Sequence, residues 1–148
     1  MDFKILVADD EYYARKALIM MIQKSSLPVI VNGDFENGQE VVEYLHNNTA
    51  DIIITDIRMP DMDGLNIARY VHEQFPECAV VVETGYEDFQ YAREALRYNV
   101  KDYLTKPINE EELLKCIHKI IEEKTQKRKQ ENINICLLYT SPSPRDCS

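Results

Sequence analysis

The chain has 148 residues, of which 45% are hydrophobic and 29% charged, and its formal charge is −9. This composition is ordinary for one globular domain with a core of its own, and the negative charge argues against nucleic-acid binding by this segment, which would need clustered Lys and Arg. The longest apolar runs, at 52–54 and 79–82, are too short to span a bilayer, and the N-terminus does not resemble a signal peptide, so we expect a cytoplasmic protein.

Short apolar runs alternate along the chain with segments of helical periodicity. Strands are predicted at 4–8, 29–35, 52–55, 78–82 and 102–104, and helices at 11–24, 38–47, 64–75, 88–98 and from 109 onward. Asp88 is expected to cap the fourth helix, and Asn109, with Glu112 three residues on, to open the fifth with a capping box. The alternation predicts an α/β fold, with a five-stranded parallel sheet covered by helices on both faces.

The C-terminal part of the chain departs from this pattern in two steps. We assign residues 1–123 to the α/β domain and residues 124–135, which are polar all round, to a helical extension or linker. Residues 136–148 are crowded with Ser and Pro and show no periodicity. We expect them to be an artefactual tail, since CLLYTSPSPRD looks like a translated sequencing adapter, or else a natural disordered terminus.

Polar side chains follow four of the five predicted strands. Asp9 and Asp10 come after the first strand, Asp56 after the third, Thr84 after the fourth and Lys106 after the fifth. Because all strands of a parallel sheet point the same way, their carboxyl ends share one edge, where ligands bind in such folds. We therefore expect these dispersed residues to meet in space.

Carboxylates gathered at one edge repel one another unless a cation joins them. A ligand set made only of oxygens suits Mg2+, which typically uses one or two carboxylates and keeps several waters. Lys106 would add a fixed positive charge and Thr84 a hydroxyl donor. This combination predicts an aspartyl-phosphate site, in which Asp56 attacks a phosphoryl group and the cations stabilise its charge.

Each of these residues, taken alone, also fits an ordinary structural role. Asp9 and Asp10 could cap the first helix, and Asp56 could belong to a turn. Thr84 could be a loop hydroxyl, and Lys106 a surface residue. The coincidence of suitable residues at four strand ends favours the phosphoryl-acceptor site over these separate readings.

The segments KILVADDE, IIITDIRMPDMDGL, VVETGY and DYLTKPI resemble the motif set of bacterial response-regulator receiver domains. The resemblance covers about residues 3–122 and implies a flavodoxin-like (βα)5 doubly wound parallel sheet with strand order 2-1-3-4-5. It implies that Asp56 is the phosphoacceptor and that Thr84 and Lys106 contact the phosphoryl group. It also implies a cis Lys106–Pro107 bond and a Mg2+ site made of Asp9, Asp10, Asp56 and the backbone carbonyl of Arg58. In this site Asp10 is a direct ligand, whereas Asp9 supports the metal largely through water.

Further roles follow from the same resemblance. Thr84 would move toward the phosphoryl group and Tyr103 would rotate inward, which repacks the surface made by the fourth helix, fifth strand and fifth helix. Arg58 and Tyr86, two residues after Asp56 and Thr84, are expected to project over the phosphoryl group and tune its lifetime. Glu83 stands where the family usually has an apolar residue, and we expect it to turn outward.

The segments DDEYYARKAL and GYEDFQYAREAL resemble receivers attached to AraC-type helix-turn-helix transcription regulators. This implies a DNA-binding domain downstream of about Gln130, and a stand-alone receiver is the alternative. The resemblance to receivers in general implies a histidine kinase as phosphodonor and dimerisation through the switch surface. The chain would not be an enzyme, beyond catalysing its own phosphorylation and dephosphorylation.

Three other classes of protein share parts of this pattern. A haloacid-dehalogenase-type phosphatase needs a second Asp two residues after the acceptor, where Arg58 stands. A flavodoxin needs a phosphate-cradling loop after the first strand, where this chain has ADDEYY. A pseudo-receiver, which acts without phosphorylation, usually lacks the Asp, Thr or Lys that are all present here.

Overall fold

The computed structural model describes residues 2–139. Five strands form one parallel sheet: β1 (Phe3–Ala8), β2 (Val29–Phe35), β3 (Ile52–Asp56), β4 (Ala79–Thr84) and β5 (Asp102–Thr105). Five helices alternate with them: α1 (Tyr12–Lys24), α2 (Gly38–Leu45), α3 (Gly64–Gln74), α4 (Phe89–Glu94) and α5 (Glu110–Tyr139). The strand order is β2-β1-β3-β4-β5, so the predicted flavodoxin-like topology is confirmed.

The central strands are buried on both faces of the sheet. Ile53 of β3 lies in an apolar cluster with Val41 of α2 and Ile67 of α3, while its neighbours Ile52 and Ile54 are buried on the opposite face. Successive side chains of a strand point to opposite faces, and a parallel sheet covered on both sides buries both sets. This packing holds the carboxyl ends of β1, β3 and β4 side by side.

Strand β4 is two residues longer at its carboxyl end than predicted, and this places Glu83 inside the sheet. Glu83 pairs in register with Asp56 of β3 and Leu104 of β5, and its side chain is only 2% exposed. The expectation that it turns outward is therefore wrong. A strand between two neighbours, covered on both faces, has no solvent-facing side toward which the carboxyl group could turn.

The fourth helix is shorter and less regular than predicted. A 3-10 turn at Tyr86–Asp88 precedes α4, and a second one at Ala95–Tyr98 follows it. Asp88 occupies the position before α4, but its side chain makes no capping hydrogen bond and instead pairs with Arg58. The capping role expected of Asp88 is thus wrong, because a long-range partner competes for its carboxylate.

At the start of the fifth helix, the Asn109 side chain accepts a hydrogen bond from the backbone N–H of Glu112, which is one of the two bonds of the predicted capping box. It runs without a break past residue 123 and ends at Tyr139. The described chain falls into two compact units, one ending at Cys116 and the next starting at Ile117. Most of the predicted tail, residues 140–148, lies outside the described residues. Within residues 2–139, every helix is too short or too polar to cross a bilayer.

Candidate functional site

Three aspartates meet at the carboxyl edge of the sheet. Asp9 follows β1 and Asp56 ends β3, and both are buried, whereas Asp10 is exposed. One carboxylate oxygen from each of Asp9, Asp10 and Asp56 lies within 4.8 Å of the other two. The topology thus brings together residues that are separated by more than forty positions in the sequence.

Lys106, which follows β5, reaches into this acidic cluster. Its Nζ lies 2.7 Å from Asp56 Oδ2 and 3.4 Å from Asp9 Oδ2. Burial alone would lower the pKa of Lys106, but the hydrogen bond and the charge of Asp56 outweigh it, so that this pKa is raised. The Lys106–Pro107 peptide bond is cis, as the resemblance implies.

The acidic cluster suits a divalent cation. The carboxylates of the three aspartates and the ammonium of Lys106 give this edge of the sheet a formal charge of −2. The atoms that the three aspartates offer to a metal ion are all oxygens. Burial raises the pKa of Asp56, against the opposing effect of Lys106, and the charge of Asp9 raises it further. A hard divalent ion would compensate these charges, and its preferred ligands are carboxylate oxygens and water. Asp9, Asp10 and Asp56 therefore fit the Mg2+ predicted for this edge.

Arg15 supports the loop that carries Asp9, and sequence reasoning missed it. This arginine of α1 is buried, donates from Nη1 to the Asp9 carbonyl at 2.7 Å, and pairs through Nε with Asp34 Oδ2 at 3.4 Å. The backbone N–H of Glu11 donates to Asp9 Oδ1 at 2.9 Å, which orients the carboxylate itself. An arginine in an amphipathic helix ordinarily indicates a solvated position, so the sequence carries no signal for this role.

The two predicted switch residues lie on the neighbouring strands β4 and β5. Thr84 is fully buried at the end of β4, and its hydroxyl donates to the carbonyl of Gly85 at 3.0 Å. Tyr103 of β5 is half-buried, and its ring packs edge-on against Phe89 of α4 with the centroids 5.5 Å apart. These positions suit the roles predicted for the Thr84 hydroxyl and for the Tyr103 ring. The movement of both side chains stays a prediction.

The two predicted rate-tuning residues occupy different surroundings. Tyr86 is 93% exposed. The backbone N–H of Arg58 donates to Asp56 Oδ1 at 3.3 Å, while its side chain turns to α4 and pairs with Asp88. The expected influence of Arg58 and Tyr86 on the phosphoryl lifetime, and the role of the Arg58 carbonyl as a metal ligand, stay predictions.

Glu83 adds a fourth carboxyl group beside the acidic cluster. Its Oε1 is buried and has no hydrogen-bond partner within the described part of the chain. Burial, and then the charge of Asp9, raises the pKa of Glu83 to about 8. Together with Lys106, Pro107 and apolar residues of α1, it lines a cavity of about 490 Å³. The one sequence signal for the burial of Glu83 is the run of apolar residues that precedes it in β4.

Comparison with known proteins identifies the family. The model of the response regulator receiver domain matches residues 5–118. The chain is 38% identical over 121 residues to YesN of Bacillus subtilis, an uncharacterized transcriptional regulatory protein, covering 82% of this chain and 33% of that one. It is 30% identical over 131 residues to the DNA-binding transcriptional regulator NtrC of Escherichia coli, covering 88% of this chain and 27% of NtrC.

A solved structure of a receiver domain is also similar to this chain. The receiver domain of AraT, a response regulator from Geobacillus stearothermophilus, superimposes with a TM-score of 0.81 at 36% identity, covering 86% of this chain and 99% of that domain. The chain spans a third or less of the length of YesN and NtrC. The chain belongs to the response regulator receiver domain family and is a receiver domain of two-component signalling.

Proposed function

We propose that this receiver accepts a phosphoryl group on Asp56 in a Mg2+-dependent reaction and thereby controls an output, most simply transcription. The observation that carries the proposal is the meeting of Asp9, Asp10, Asp56 and Lys106 at one edge of the sheet. An acceptor, acidic ligands for a cation and a fixed ammonium are the parts that phosphoryl transfer to a carboxylate requires.

The residues of the chain divide the work of the transfer. An oxygen of the Asp56 carboxylate attacks phosphorus, and the bond between phosphorus and the donor's histidine nitrogen breaks, with its electron pair remaining on the imidazole. Lys106 then pairs with the phosphoryl oxygens instead of with Asp56 alone, and the backbone N–H of Arg58 holds the acceptor carboxylate in place. Mg2+, when bound by the acidic residues, supplies charge neutralisation of the phosphoryl oxygens.

The readout we propose links the site to the surface of α4. Thr84 lies at the end of β4, and Tyr103 in β5 contacts Phe89 of α4 through its ring. Movement of the Thr84 hydroxyl toward the phosphoryl group would leave space that the Tyr103 ring can fill, which changes the exposed surface of α4 and β5. The negative charge gained at Asp56 would thus favour one of two packing arrangements of Tyr103 and α4.

The partners follow from this function. We propose a sensor histidine kinase as the phosphodonor, homodimerisation through the α4-β5-α5 surface, and a DNA-binding output domain in the longer protein. The similarity to YesN and NtrC, both named as transcriptional regulators, supports the last of these. The cytoplasmic location stays a prediction.

A kinase-free experiment tests the proposal. The protein is mixed with a small acyl phosphate, with and without Mg2+, and weighed intact by mass spectrometry. We expect the mass of one phosphoryl group to be added only with Mg2+, and not in Asp56→Asn, whereas Asp102→Asn, which removes an exposed carboxylate elsewhere, reacts like the wild type. An unmodified wild type would favour a pseudo-receiver, and continuous hydrolysis of the donor would favour a phosphatase.

A further inference from the structure

Arg58 is fastened to the start of α4 by two contacts. Its Nε lies 3.0 Å from Asp88 Oδ1, and its guanidinium carbon lies 4.1 Å from the centroid of the Tyr91 ring. The Tyr91 hydroxyl in turn donates to Asp63 Oδ2, at 2.6 Å, in the residue that caps α3. We call Arg58, Asp88 and Tyr91 the arginine clasp, because together they join the loop after β3 to α4.

The clasp is coupled to the acceptor through a single residue. The backbone N–H of Arg58 is bonded to the Asp56 carboxylate, while its side chain is bonded to Asp88. Asp88 stands at the capping position of α4 without capping it, so its carboxylate serves Arg58 and not the helix. Arg58 thus contacts the proposed acceptor, Asp56, through its backbone and α4 through its side chain.

The ion pair of the clasp is of the kind that exchanges partners readily. Arg58 is 58% exposed and Asp88 is 31% exposed, and solvated pairs of this sort contribute little stability. A phosphoryl group on Asp56 would bring almost two negative charges and three acceptor oxygens to a position two residues away. A guanidinium binds such a group with two parallel hydrogen bonds, which a single carboxylate oxygen does not offer.

We propose that Asp88 and Tyr91 are positioning residues for Arg58, which hold its guanidinium on α4 before phosphorylation and release it to the phosphoryl group afterwards. Asp88 and the phosphoryl group therefore compete for one guanidinium. When the Arg58 guanidinium moves from Asp88 to the phosphoryl group, it shields that group from water. The same movement releases the first turn of α4 from the loop after β3. The proposal rests on the phosphorylation of Asp56 proposed above.

The half-life of the phosphorylated protein tests this competition. Wild type, Asp88→Asn and Glu87→Gln are phosphorylated, the donor is removed, and the surviving fraction is followed by intact mass. Asp88→Asn frees Arg58, so we expect a half-life longer by roughly two- to fivefold, the equivalent of one exposed ion pair. Glu87→Gln removes the same charge from the preceding residue outside the clasp and should match the wild type, whereas Arg58→Ala should shorten the half-life.

A double-mutant cycle separates positioning from a structural role. If Asp88 acts only through Arg58, then Asp88→Asn changes nothing in the Arg58→Ala background. An unchanged half-life in Asp88→Asn alone, or an equal lengthening with and without Arg58, would overturn the clasp and leave the proposed function intact. A wild type that takes up no phosphoryl group at all overturns both, so the two failures are distinguishable.

Discussion

Replacing Glu83 by Gln should make the stability of the domain less dependent on pH. Burial raises the pKa of Glu83 from its ordinary value of 4.5 to about 8, so folding favours the protonated carboxyl group. Between those two pKa values the folded state binds a proton that the unfolded state has released. The free energy of unfolding of the wild type therefore falls as the pH rises through this window, by up to about 5 kcal/mol over the full shift.

The amide that Glu83→Gln introduces cannot ionise, so the variant lacks this dependence. We expect Glu83→Gln to have nearly the wild-type stability, or slightly less, near about pH 5, and to become the more stable protein by several kcal/mol above about pH 8. Urea unfolding across this range, in the presence of a chelator, measures the difference directly. Glu94→Gln, which removes an exposed carboxylate of α4, is the matched control. A Glu83→Gln difference that stays flat with pH, or that grows toward acid, would refute the reasoning.

Two further perturbations address the acidic cluster. Lys106→Met leaves Asp9 and Asp56 without their ammonium partner. We therefore expect the free energy of unfolding, measured by urea titration, to fall by about 1–3 kcal/mol without Mg2+ and to recover in part when Mg2+ is added. An equal loss with and without Mg2+ would contradict the electrostatic reason. In the wild type, Mg2+ at about a hundredfold excess over its dissociation constant should add about 2.7 kcal/mol. Asp10→Asn should abolish most of this gain, and if the gain persists, Asp10 is not a ligand.

Much of the fold could be predicted because its signals are local. The alternation of apolar runs with helical periodicity located all five strands, and β2 begins and ends at the predicted residues. The convergence of Asp9, Asp56 and Lys106 followed from one rule, that the carboxyl ends of parallel strands share an edge. The strand order itself came from the resemblance to the family and not from the spacing of residues.

The errors and omissions arose where the surroundings of a side chain are set by the fold and not by its neighbours in the sequence. Glu83 is buried because its strand lies between two others, which its own polarity could not indicate. Asp88 carries the residue type of a helix cap, but Arg58, thirty positions earlier, binds its carboxylate. Arg15 supports the Asp9 loop from inside a helix, where an arginine ordinarily faces solvent. Local propensity predicts elements better than it predicts the partners of charged side chains.

Chemical location of the phosphoryl group tests most directly whether Asp56 is the acceptor. After reaction with an acyl phosphate and Mg2+, reduction with borohydride converts a phosphorylated aspartate to homoserine, and peptide mass spectrometry then identifies the modified position. We expect conversion at Asp56 alone, with Asp9 and Asp10 unmodified because they bind the cation. Conversion at Asp9 or Asp10, or a stable modification elsewhere with Asp56 unchanged, would contradict it.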